Sequence, residues 1–340
     1  MYRSVIIGVS GGRARGLAEA YRHINRANLV AVSSRKKDKL EAFAHDFKVK
    51  AYYTDYLEML TQIQPDLVHV NTPPNVRLEI LQAAEEAQIP LVLVEKPLAI
   101  QGEDYLAIKE FARTSKTKIA INHQLHFHPR RQALQNLVQE GKIGEIGFID
   151  ASSGMNLAYQ GTHTLQAIAG FYPQGKASSV FAQISGAEGL EETPGQHFAP
   201  DTCLANLQFN TGVSALLRCG SHAPRVIDGS ISQHKRIAVY GAKGYVHWTM
   251  WGWQTLIDGV YQSGNHEYPE EDILGQAAMT EAMFDWLENG NIHPLNLDAA
   301  LNDFNIILAI YMSGLQRKPI DLPVEPDTNL IFQLQNALKV

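Results

Sequence analysis

Only two cysteines occur in 340 residues, Cys203 and Cys219. They are too few for a disulfide scaffold and their spacing suits no zinc motif. Both lie in strand-like text, so buried structural thiols are expected. Basic charge is also scarce. Against 35 Asp and Glu stand 29 Lys and Arg, a formal charge of −6. That excludes the broad basic face of a nucleic-acid binder, although one anionic ligand in a local basic pocket remains possible. No apolar run approaches the ~18 residues of a membrane span. The first strand begins almost at Met1, which predicts no cleavable leader and makes the cytoplasm the expected location. Repeats and low-complexity linkers are missing too.

What is present is a large apolar fraction, 45% with only 19% charged, enough for substantial cores. A chain of this length usually forms two domains. Short, continuously apolar runs at 4–9, 29–33, 66–71, 90–94 and 118–121 alternate with helical text at 14–25, 37–46, 56–62, 76–87 and 103–115. This pattern predicts a parallel, doubly wound sheet with both faces covered. After a helix at 129–140 the text changes to β-rich runs at 180–184, 202–209, 213–219 and 236–240, and two helices at 271–288 and 297–315 close the chain. The fold class expected is α/β: a Rossmann domain over 1–122, then an α/β domain over 123–340 with an open, mostly antiparallel sheet.

The first strand runs into Gly8-Val9-Ser10-Gly11-Gly12-Arg13-Ala14-Arg15-Gly16, and a helix follows. Glycine permits a tight turn and close approach of backbone to pyrophosphate, and the new helix points its N–H groups at the phosphates. A strict G-x-G-x-x-G would place its later members at Ser10 and Arg13. One extra loop residue gives Gly8, Gly11 and Ala14. The residues Gly8, Ser10, Gly11, Gly12, Arg13 and Ala14 are therefore assigned to the cofactor.

NAD-specific folds usually carry an acid at the end of the second strand, to hold the ribose diol. Here that strand ends Ser33-Ser34-Arg35-Lys36-Lys37, with no carboxylate before Asp38. Cations at a helix start oppose the dipole at roughly 0.3–1 kcal/mol each, and a 2′-phosphate on Ser34, Arg35 and Lys36 would compensate them. NADP is accordingly expected ahead of NAD. Ligands of doubly wound sheets bind at the carboxyl ends of strands. This brings in Asn71-Thr72-Pro73-Pro74-Asn75 and Glu95-Lys96-Pro97, with Lys96 facing the cleft.

Other features have plainer readings. His123, His126 and His128 suggest a metal, but no adjacent carboxylate or cysteine completes a set, and closed zinc sites need about four ligands. No metal is expected. Trp248, Trp251 and Trp253 read as a packed sheet face or an interface. Asp201 reads as a cap or turn residue at a strand start.

Taken together, Gly8–Gly16, Asn71–Asn75, Glu95-Lys96-Pro97, Asn122–Pro129, Gly141–Glu145 and Ile310–Pro323 resemble the Gfo/Idh/MocA family of oxidoreductases. The resemblance covers nearly the whole chain. It implies a Rossmann domain plus a sheet domain, and a homodimer or homotetramer built through that sheet. Asn71, Thr72, Pro73, Asn75, Glu95, Lys96 and Gln124 would then contact the cofactor, and Lys96, His123, Tyr159 and His163 the substrate. Lys96 and His163 are the two catalytic residues carried over. The chain departs from the family at Arg77, where histidine is common. It also departs in Tyr159-Gln160-Gly161-Thr162-His163-Thr164-Leu165-Gln166, which keeps the glycine and histidine of the family signature and lacks both acids.

The resemblance implies a dehydrogenase or reductase that moves hydride between nicotinamide and a sugar, polyol or related carbonyl compound. His163 would take the hydroxyl proton and Lys96 would stabilise charge on the same oxygen, or the roles would be exchanged. Two alternatives stand beside it: a non-redox glycosidase that uses held NAD transiently, and a nucleotide-sensing regulator without catalysis.

Overall fold

A computed structural model describes residues 1–191, 197–225 and 230–339. The helices and strands run in the order β1 (Tyr2–Ile7), α1 (Gly12–Ala20), β2 (Ala27–Ser33), α2 (Lys37–Asp46), β3 (Ala51–Tyr53), α3 (Tyr56–Ile63), β4 (Leu67–Val70), α4 (Arg77–Glu86), β5 (Leu91–Glu95), α5 (Gly102–Ala112), β6 (Lys118–Asn122), α6 (Pro129–Gln139), β7 (Ile146–Ser153), α7 (Thr162–Phe171), β8 (Ala177–Ser185), β9 (Thr202–Phe209), β10 (Ser214–Cys219), β11 (Lys235–Gly241), β12 (Gly244–Thr249), β13 (Gly252–Ile257), β14 (Val260–Asn265), α8 (Tyr268–Asn289), α9 (Leu297–Gln316), β15 (Ile320–Asp321) and α10 (Leu330–Leu338). The chain divides into two compact units, each drawn from three stretches. The first comprises Met1–Leu98, Leu106–Phe127 and Asp272–Leu301; the second comprises Ala99–Tyr105, His128–Glu271 and Asn302–Val340.

The first unit holds a six-stranded sheet in the order β3-β2-β1-β4-β5-β6, parallel throughout. Strands β4 and β5 are buried at every position, as continuous Val/Leu text predicts for a sheet covered on both faces. One face packs Ile6 and Val32 against Leu17, Leu40 and Phe43 of α1 and α2. The other packs Leu67, Leu91, Leu93 and Ala120 against Ala277, Met279, Met283 and Phe284 of α8. Each Val, Leu, Ile, Met or Phe among them contributes about 1.5–3 kcal/mol by leaving water. Tyr2 stacks on Phe284 with ring centroids 4.5 Å apart, and Arg26 pairs with Glu281, Asp285 and Glu288 of the same helix. The sheet therefore recruits a segment far along the chain. The edge strand β3 escapes sequence reading because it is three residues long with no apolar run.

The second unit holds a nine-stranded sheet in the order β14-β13-β12-β11-β7-β10-β9-β8-β15. All its pairs are antiparallel except β7 with β10. Here burial alternates, as in β9 and β10, because one face is covered and the other is not. The covered face carries Ile149, Ala151, Ala205, Leu207, Leu217, Val239 and Trp248. Cys203 and Cys219 face each other across β9 and β10 as buried free thiols, and burial raises the pKa of both. The open face leaves Phe148, Phe181, Leu204 and Tyr240 each 37–46% exposed. Asp150 sits among them, paired with Arg218 and Arg236.

One expectation needs correction. Among the described residues three helices, not two, follow β14, since α10 lies beyond residue 315. The segment Gln124–Phe127 is a 3₁₀ turn that leads into α6. Gly290 does end α8, with φ +73, and Asp201 serves a turn by accepting from the backbone N–H of Glu188 and Gly189. Among the described residues no helix is long and apolar enough to cross a membrane.

Candidate active site

The carboxyl ends of β1, β2, β4 and β5 gather most of the residues selected from the sequence. At the end of β1, Gly8 has φ +94 and a Cβ there would lie 2.4 Å from the Asn71 carbonyl oxygen. Only glycine fits that backbone. Its N–H donates to the Ser33 carbonyl at 2.8 Å, and its own carbonyl accepts from Asn71 Nδ2 at 2.8 Å. The turn is thus locked to both neighbouring strands. Beyond it, Gly11 and Gly12 face open space.

Helix α1 starts at Gly12 with Gly11 as its cap residue. No side chain caps it and no acid occupies its first turn. Its leading N–H groups and positive dipole end are thereby left for an anion. These features fit a dinucleotide pyrophosphate. Ser10 Oγ and Ser34 Oγ share a hydrogen bond of 2.6 Å, which ties the phosphate loop to the end of β2. Arg35 and Lys36 are exposed beside it, just before α2.

Lys96 follows β5 and is 7% exposed, joined to Pro97 by a cis peptide bond. Burial pushes its pKa down to about 8; Arg13 and Arg77 push the same way, and Glu95 opposes them. Arg77 is itself 2% exposed. Its guanidinium donates to the Thr72 carbonyl at 2.8 and 3.2 Å and to the Lys96 carbonyl at 3.3 Å. This clamps the loop after β4 to the loop after β5. Burial lowers the Arg77 pKa to about 10. Pro73 and Asn75, in the loop after β4, are exposed.

Arg13 reaches Glu95 at 3.8 Å and Asp272 at 3.2 Å. Asp272 also accepts from Gln124 Nε2 at 2.7 Å. Asp272 therefore organises two of the expected cofactor residues, and sequence reading missed it. Its only signal was a position within the α8 text, far from either partner. His123 and Gln124 are buried after β6, and Asn122 donates to Gln276 at 3.3 Å.

The second unit carries Tyr159 and His163. His163 lies in the first turn of α7 and is 3% exposed. An irregular turn, Leu157–Gly161, leads into that helix, and Asn156 caps it by accepting from the Tyr159 N–H at 2.9 Å. A Cβ on Gly161 would lie 2.7 Å from Cys219 Sγ, so glycine is needed there. The Tyr159 ring meets the His197 ring edge-on at 4.8 Å.

Residues 2–123 match the profile of the Gfo/Idh/MocA oxidoreductase family, NAD-binding Rossmann fold. Among curated relatives, the dTDP-3,4-didehydro-2,6-dideoxy-alpha-D-glucose 3-reductase of Saccharopolyspora spinosa is 32% identical over 158 residues, 46% of this chain and 47% of that protein. The myo-inositol 2-dehydrogenase of Thermotoga maritima is 25% identical over 257 residues, 71% of this chain and 74% of that one. The chain spans about half the length of the first curated relatives it matches. A solved levoglucosan dehydrogenase in complex with NADH superposes with a TM-score of 0.81 at 15% identity, covering 95% of this chain and 99% of that one. That likeness is one of fold.

Proposed function

We propose, from a chain whose residues 2–123 are a Gfo/Idh/MocA NAD-binding Rossmann domain, that the protein is an NAD(P)-dependent oxidoreductase acting on a sugar, polyol or related carbonyl compound. The observation that carries this reading is Lys96. A buried lysine with its pKa lowered to about 8 follows the strand beside a glycine loop shaped for pyrophosphate. Placed there, its ammonium can hydrogen-bond a reacting oxygen and support charge that develops on it. The relatives named above, a deoxysugar reductase and an inositol dehydrogenase, support the substrate class.

When bound, the nicotinamide supplies hydride acceptance or donation. This chain's residues bind, orient and handle the proton. In the oxidation direction the substrate loses a hydride from carbon and a proton from its hydroxyl, leaving a carbonyl. Lys96 supports negative charge on that oxygen, and His163 is assigned the proton. In reduction the same groups act in reverse. The uncapped start of α1 holds the pyrophosphate, and the acid-free end of β2, with Arg35 and Lys36 exposed, favours NADP over NAD. The exposed Phe148, Phe181, Leu204 and Tyr240 make the open sheet face the surface for a homodimer or homotetramer.

The test is an absorbance assay at the reduced-nicotinamide band, with NADP and NAD offered separately against a panel of sugars, polyols and keto-sugars. Substrate-dependent cofactor turnover is expected. Cofactor that binds but never turns over with any member would overturn the dehydrogenase reading.

A further inference from the structure

Outside the nucleotide site, three side chains from the two ends of the second unit's His128–Glu271 stretch converge. His128 immediately precedes α6, His266 follows β14, and Glu271 lies in the first turn of α8. Each offers one ligand atom, and the three atoms lie within 4.8 Å of one another. His128 is completely buried and His266 is 8% exposed. Both ring nitrogens of both histidines, and Glu271 Oε2, are buried without a hydrogen bond. Orphaned polar atoms in this number are costly, at about 1–3 kcal/mol each, so they point to something that satisfies them.

We propose that His128, His266 and Glu271 form a binding site for one divalent transition-metal ion, with Zn2+ the foremost choice. Two imidazoles and a carboxylate are a donor set that zinc uses when a coordination position is left open. Around a tetrahedral ion with bonds of about 2.0–2.1 Å, neighbouring donors stand roughly 3.3 Å apart. His128 Nε2 and Glu271 Oε2 are already 3.0 Å apart. They meet there without hydrogen-bond geometry, as two ligands of one ion would. The His128 and His266 rings are 4.6 Å apart between centroids.

The surroundings suit such a site. The Trp248 ring lies parallel to His266 and edge-on to His128, with centroids 6.1 and 5.4 Å away. This fixes both imidazoles from one side. Glu267 and Glu270 add negative charge near Glu271, and Arg130 and Arg131 add positive charge near His128. Arg130 is engaged over the Trp253 ring, and Arg131 donates to Gln166. The two nearby charges of each sign offset, so Glu271 is the anionic ligand and the bound divalent ion keeps one net positive charge. Sequence reading missed the set because Glu271 and His266 lie far along the chain from the histidines at 123–128. The triad expected to be metal-free there is not the one that the fold assembles.

The full-length protein, stripped with a chelator and dialysed, is titrated with Zn2+ by calorimetry and with Co2+ by visible absorption and tryptophan fluorescence. One equivalent is expected to bind, Co2+ is expected to give a visible ligand-field band, and Trp248 emission is expected to be quenched. Glu271→Gln and His266→Asn should each weaken Zn2+ roughly ten-fold or more, with melting temperatures of the metal-free variants near wild type. Absence of stoichiometric binding by Zn2+, Co2+, Ni2+ and Cu2+ overturns the proposal. So does binding that is equally tight in both variants, because the metal would then sit elsewhere. His128→Gln is left out of the deciding set because the buried position bears on folding.

Discussion

Replacing Lys96 with methionine should separate the chemistry of this lysine from its effect on stability, and in opposite directions. The side chain is 7% exposed and its pKa is pushed from 10.5 down to about 8, first by burial and then by Arg13 and Arg77. A lowered lysine pKa means that the unfolded chain binds the proton more tightly than the native one. Between about pH 8 and 10.5 the unfolded state therefore carries more protons, and wild-type stability rises with pH across that window. Below pH 8 the full penalty applies. A gap of this size corresponds to at most ~3.5 kcal/mol, at about 1.4 kcal/mol per tenfold change in proton affinity. Methionine keeps the length and removes the charge, so Lys96→Met should be more stable than wild type by about 1–3 kcal/mol at pH 7, after allowing for contacts the ammonium loses. The advantage should shrink toward pH 10. Turnover should move the other way. Losing one donor to a developing oxyanion costs about 10²–10³-fold. Because the ammonium must be charged to support the developing oxyanion, wild-type kcat/KM should fall as pH rises through about 8. Urea melts at pH 7 and 10, with kinetics on the best substrate of the panel, measure all three. Near-normal turnover in Lys96→Met would refute the catalytic role, and a variant less stable than wild type at pH 7 would refute the burial argument.

Three further outcomes follow from the same geometry. Gly8→Ala places a Cβ 2.4 Å from the Asn71 carbonyl oxygen at φ +94; it should cost ~1–3 kcal/mol in stability and weaken cofactor binding in calorimetry, and an unaffected affinity would exclude the loop from the pyrophosphate site. Arg35→Ala should weaken NADP(H) while sparing NAD(H), and wild type should bind NADP(H) more tightly; equal or tighter NAD(H) binding sinks the 2′-phosphate assignment. Leu204→Arg, at a position 40% exposed on the open sheet face, should shift the light-scattering mass toward monomer at micromolar concentration, and an unchanged oligomer would place the interface elsewhere.

Legibility in the sequence tracked how local the cause was. Strands β1, β2, β4, β5 and β6 show themselves as short runs of Val, Ile and Leu because both faces of that sheet are covered. Strands β9 and β10 show themselves by alternation because only one face is. Gly8 stands out as well, since a tight turn at a strand end demands glycine. Helix α7 does not show itself. Nine of its ten residues are buried, Thr162, His163, Thr164 and Gln166 among them, so it carries no apolar stripe and no period to detect. The grouping of Arg13, Gln124 and Asp272 is equally silent, because Gln124 and Asp272 lie 148 residues apart. Only the return of α8 to the first sheet unites them, and amphipathic text does not say which sheet a helix will cover.

Arg77 links the departure from the family pattern to the electrostatics of the site. The resemblance marks it only as an arginine where histidine is common. In the fold it is buried, bridges the carbonyls of Thr72 and Lys96, and lowers the Lys96 pKa. Histidine there would be neutral for much of the physiological pH range and too short to span both carbonyls in the same way. Arginine stays charged even with its pKa lowered to about 10. Around the end of β5 three cations, Arg13, Lys96 and Arg77, thus meet two carboxylates, Glu95 and Asp272, and Asp272 is committed to Arg13 and Gln124. The surplus of positive charge lies beside the loop shaped for pyrophosphate. An anion there would relieve repulsion among the cations, so binding of an anionic cofactor and proton affinity at Lys96 should reinforce one another. A chain with net charge −6 thereby concentrates positive potential at the one place where its proposed chemistry requires it.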